Sequence, residues 1–161
     1  MLNRLAWLSL LVTFVGLASA AQPLADVSES DVLALGARVH AGDRIAMREL
    51  LSLKTDGAVA EDVDVIMGGA IRNHPEAFLV EIARTQRAQC DSCLESLLGN
   101  LGDDFVDRFP EQIEDLSKRR TALRTVKVVS VQSLRDKCVF ILDRQITQIR
   151  SLIKQGIAVK S

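Results

Sequence analysis

From Ala25 onward, apolar residues recur at intervals of three and four, and strand-like alternation is scarce. Such a period places the apolar side chains on one stripe of a helix, and a helix must bury that stripe against another element. With no strands to supply a sheet, the remaining solution is helix on helix. The expected fold is all-α, a compact domain of six to seven helices. Ser30 is a good N-cap for a helix over 31–41, with Val32, Leu35 and Val39 on one face. Gly42 stops it and Asp43 caps the next helix, 44–53. The connection His40-Ala41-Gly42-Asp43 is short enough to require a helical hairpin.

Lys54 to Gly57 reads as a turn into helix 58–72, and Pro75 fits the first position of helix 75–88. Gly68-Gly69-Ala70 inside the third helix costs roughly 1 kcal/mol per glycine, and close approach of another helix is the expected compensation. Cys90 or Asp91 starts a helix through Leu98, and Pro110 opens helix 110–125. Val126 to Val131 is β-branched but has no partner strand, so it reads as a linker. The last helix, 133–154, is the longest. Its stripe of Leu134, Cys138, Ile141, Leu142, Gln145, Ile149, Leu152 and Ile153 is expected to pack within its own domain. The two consecutive hairpins at the start resemble, in spacing only, the helix pairs of HEAT-like α-solenoids; no repeat consensus accompanies them.

The segment MLNRLAWLSLLVTFVGLASA has one early base, Arg4, an uncharged apolar run from Leu5 to Leu17, and the small-x-small triplet Ala18-Ser19-Ala20. That is the pattern of a secretory signal, expected to be cleaved after Ala20. Residues 21–161 would then form a single helical domain, extracytoplasmic: periplasmic in a bacterium, otherwise secreted.

Aromatic residues after Ala20 are confined to Phe78, Phe105, Phe109 and Phe140, with no Tyr or Trp. Sugar clefts and single-strand nucleic-acid grooves rely on stacking platforms, so both are disfavoured, and export argues further against nucleic acid. Charge is polarised along the chain. Residues 21–115 carry 19 acids and 8 bases, and residues 116–161 carry 2 acids and 11 bases. Basic helices lying against the acidic remainder account for this. The functional alternative is a basic face for an acidic protein or an anionic membrane surface.

The spacing that most suggests chemistry is Cys90-Asp91-Ser92-Cys93. A thioredoxin-like C-x-x-C follows a strand, whereas a helical run precedes this one. A Cys3His zinc set would need Cys90, Cys93 and Cys138 with His40 or His74, and nothing in the spacing supports the fourth ligand. Asp103, Asp104 and Asp107 lack a calcium ladder. His40 and His74 read as helix-end and turn residues, and Glu61-Asp62 as an exposed helix start, so no catalytic set assembles. No G-x-S-x-G occurs.

An exported chain with three cysteines can close one disulfide. Joining Cys93 to Cys138, with Cys90 as alternative partner or free thiol, closes a loop of about 45 to 49 residues, worth roughly 4 kcal/mol in the loop-entropy model. Closing Cys90 to Cys93 removes little entropy and would strain a helical backbone. The expected function is therefore non-enzymatic: an exported protein-binding module, adaptor or immunity/inhibitor-like, meeting a protein partner through charged helical faces, acidic on the hairpins or basic on the last helices, with a structural disulfide, no cofactor and no metal. The alternative is a thiol–disulfide or metal-handling role for the Cys90/Cys93 pair.

Overall fold

The computed structural model describes residues 28–53, 57–102, 105 and 108–156. The expected export signal, the rest of the run to Val27, and Asp103, Asp104 and Asp107 lie outside the described residues. Among those described there are seven α-helices and no strand. They are α1 (Glu29–His40), α2 (Arg44–Ser52), α3 (Gly57–Asn73), α4 (Pro75–Ile82), α5 (Asp91–Gly99), α6 (Phe109–Thr125) and α7 (Gln132–Lys154), with 3-10 turns at Gln86–Gln89 and Val129–Val131.

The start of α1 lies two residues earlier than expected. Ser28, not Ser30, is the N-cap: its Oγ accepts the Asp31 N–H, and the Asp31 carboxylate accepts the Ser28 N–H, a reciprocal capping box. Gly42 turns the chain at φ +88°, and Asp43 caps α2 by accepting from the Ile45 and Ala46 N–H groups at 2.8 and 3.2 Å. Arg38, in the last turn of α1, bonds the same carboxylate and closes the hairpin.

The second hairpin stacks on the first: α1 packs on α3 and α2 on α4. Gly36 gives way to the Ile66 side chain where α1 and α3 meet. The two turns also stack, since the His74 Nε2 lies 3.1 Å from the His40 carbonyl oxygen and its ring covers Gly42. α3 continues inward to meet α5 and α6, and α7 closes the molecule against both. One apolar core runs through all seven helices, from Val32 and Met47 through Met67, Phe78 and Leu97 to Leu142 and Ile146.

α4 stops at Ile82 instead of running to residue 88. The Thr85 hydroxyl and N–H both bond the Ile82 carbonyl, which ends the i to i+4 ladder there. The chain tightens into a 3-10 turn and leaves it extended at Cys90 (φ −102°, ψ 110°). Val126 to Val131 forms no strand; Val126 and Val131 enter the core, and Val129 points outward.

Candidate functional site

Because the chain is extended at Cys90, that residue is the N-cap of α5 and Cys93 occupies its third helical position. Their Cα atoms are 5.2 Å apart and the two sulfurs are bonded. This corrects the expected Cys93–Cys138 bridge. The anticipated strain assumed a helical Cys90; outside the helix, its side chain can fold back over the first turn. Cys90 Sγ also accepts the Cys93 N–H at 3.2 Å and lies 3.4 Å from the Ser92 hydroxyl. A four-residue loop yields only about 2 kcal/mol in the loop-entropy model, half of what the longer bridge would give.

Cys138 is a free thiol, fully buried on α7. Burial pushes it up to about 12, with Lys137 pulling weakly the other way. Cys138 therefore behaves as a small apolar core residue. Cys90 and Cys93 are half-buried. Around them, Asp91 pairs with Lys137 of α7 at 2.5 Å, and Glu95 pairs with Arg144 and, through its carbonyl, with Gln145.

The histidines do not gather with the cysteines: His74 serves the stacked turns, in contact with the His40 carbonyl. Among the described residues no group of three His, Cys, Asp or Glu side chains could hold a metal ion. An open cleft of about 460 Å3 lies beside His74, Arg44 and Glu76, but the Nε2 of His74 is already engaged.

Three buried carboxylates were not singled out from sequence. Glu81 of α4 is 0 % exposed and receives three guanidiniums, from Arg44, Arg48 and Arg84, at 2.8, 2.8 and 3.1 Å. Burial pushes its carboxyl up, but hydrogen bonds from Arg48 and Arg44 and the Arg48 and Arg84 charges outweigh it, so the carboxyl sits below its ordinary value. Asp64 of α3 accepts from Ser96 at 2.5 Å and pairs with Arg87 at 3.4 Å; here burial wins and the carboxyl is raised. Asp115 of α6 holds Arg72 and the buried Arg119, whose Nη1 reaches the Leu98 carbonyl at 2.9 Å. The legible signal was an acid on an apolar face, as Glu81 lies between Phe78 and Ile82, with Arg44 and Arg48 one turn apart.

Most bases of the C-terminal helices are internally neutralised. Lys118 pairs with Glu114, Arg119 with Asp115, Arg120 and Arg124 with Asp143, Arg135 with Asp136, Lys137 with Asp91 and Arg144 with Glu95. Among the described residues, Lys127, Arg150 and Lys154 are left without an ion pair. On α7, Phe140 is 67 % exposed, beside Asp143, Arg144 and Thr147. The other described phenylalanines are buried or half-buried. Phe140 falls outside the stripe of Cys138, Ile141 and Leu142, which is the sequence signal for its outward position. No helix among the described residues is long and apolar enough to cross a membrane.

No protein-family model, curated protein or solved structure matches this chain.

Proposed function

We propose that this chain is an exported protein-binding module, adaptor-like or inhibitor-like, whose contact surface is the outward face of α7. The observation that carries the reading is Phe140, an aromatic side chain kept in water on an otherwise well-packed helix. Exposed aromatic anchors with a polar rim are the usual centres of protein interfaces. The rim charges Asp143 and Arg144 are already paired within the chain. Apolar contact at Phe140 therefore supplies the affinity, rather than the net charge of the last helices. For the same reason a membrane surface is a weaker candidate, since few bases remain free to meet anionic lipid.

Export is supported by the signal-like residues 1–20 and by a disulfide, which persists in oxidising compartments. Mass spectrometry of the mature N-terminus tests that part, with Ala21 expected and an intact Met1 excluding it.

Binding is tested by co-purification of the full chain from its native compartment, with Phe140→Ser alongside. A partner retained by the wild type and lost by Phe140→Ser, at unchanged thermal stability, is the expected result. Equal retention by both would place the interface elsewhere, and a wild type reproducibly alone would remove the reading.

A further inference from the structure

We propose that Cys90 and Cys93 form a thiol–disulfide exchange site whose substrate is a dithiol of another protein. The bond connects two residues of one helical turn and fastens no second element. α5 is held independently, by Leu94, Leu97 and Leu98 in the core and by the Lys137–Asp91 and Arg144–Glu95 pairs. The pair can therefore open without dismantling the fold, as a site that cycles must. Both cysteines are half-buried and within reach of solvent, whereas Cys138 is sealed in the core and does not compete as a third thiol.

The two sulfurs are not equivalent. Cys90 is the N-cap, at the positive end of α5, and its Sγ already accepts the Cys93 N–H. Both features stabilise a thiolate at Cys90. Of the charged groups nearby, Asp91 on α5 opposes this, and Lys137 from α7 neutralises it at 2.5 Å.

The exchange balances as follows. The first substrate thiolate attacks Cys90 Sγ; the Sγ–Sγ bond breaks, and Cys93 leaves as a thiolate that takes up a proton. The second substrate thiolate attacks the substrate sulfur of the mixed disulfide, and Cys90 leaves as the stabilised thiolate. The substrate dithiol is oxidised by two electrons, and the Cys90–Cys93 disulfide is reduced to a dithiol.

The test equilibrates the full chain across reduced-to-oxidised glutathione ratios and reads free thiols by alkylation mass shift, with circular dichroism on the same samples. The expected result is reversible gain of two thiols, at residues 90 and 93, with helix content unchanged and Cys138 unmodified. Cys93→Ser should trap a mixed disulfide at Cys90 and alkylate with a pKa at least about one unit below the free-cysteine value of roughly 8.5. A reduced, unfolded protein added to the wild type should lose one dithiol for each Cys90–Cys93 disulfide that is reduced. Thiols that emerge only as helicity is lost, or a Cys90 with an ordinary or raised pKa, would overturn the proposal. So would reaction with glutathione but none with the reduced protein. If Cys93→Ser does not fold, the wild-type titration and the reduced-protein assay decide alone.

Discussion

A Cβ built on Gly68 would stand inside the Arg119 guanidinium, while one on Gly69 meets only the end of Arg72 at 3.9 Å. Arg119 is buried and held by Asp115 and the Leu98 carbonyl, so it cannot swing aside freely. Gly68→Ala is therefore expected to destabilise by about 2 kcal/mol through overpacking, despite alanine's better helix propensity. Gly69→Ala should stabilise by up to about 1 kcal/mol, since only the propensity changes. Thermal or urea unfolding of the two variants checks both; equal shifts would mean that Arg119 does not need the space. The glycine pair was legible as a sign of close approach. That the visitor is a buried arginine, and not a helix backbone, was not, because Arg119 and Gly68 are far apart in sequence and share no local pattern.

At the scale of elements, the ends carry more information than the middles. The capping box of α1 is written in the sequence as Ser28-x-x-Asp31, with aspartate where glutamate is more usual. Ser28→Ala should cost about 1 kcal/mol, and Ser30→Ala much less, because Ser30 does not cap the helix. Equal losses from the two would return the cap to Ser30. The early end of α4 was harder to read. Residues 83–88 have helical composition, and only the Thr85 side chain, competing for the Ile82 carbonyl, turns the chain out. The chain then reaches Cys90 extended, as the N-cap of α5, at the helix start the sequence allowed for it. The local signal is a single hydroxyl, weak against the favourable propensity of its five neighbours in 83–88.

Across the whole molecule, buried carboxylates bind the helix pairs together and shape the response to acid. Glu81 joins α4 to α2, and its folded pKa lies below the unfolded value. Its stabilisation is thus complete above the unfolded carboxylate pKa, near 4.3, and is lost as pH falls through the folded value. Asp64 has the opposite sign, because its folded pKa is raised; protonation there favours the folded state as pH falls through that value. At pH 7, Glu81→Gln should lose about 2 kcal/mol, less than a fully enclosed pair would, since all three guanidiniums are about half exposed. The gap between wild type and Glu81→Gln should narrow below about pH 4, and Asp64→Asn should lose stability more steeply in acid than the wild type. Denaturant midpoints across pH measure both, and a gap that stays constant down to pH 2 would contradict the assignment to Glu81.

The sequence by itself determined the helical class, the seven helices to within a few residues for most ends, the consecutive hairpins and the long last helix. Those features rest on apolar period, caps and the glycine and proline breaks, all of which act within a turn or two of chain. Only the tertiary structure decided which carboxylates Arg44, Arg48, Arg72 and Arg87 meet, and that Cys138 is sealed in the core away from Cys90 and Cys93. Those outcomes depend on which surfaces lie opposite one another once the helices have packed, and residues 20 to 50 positions apart leave no periodic trace of their meeting.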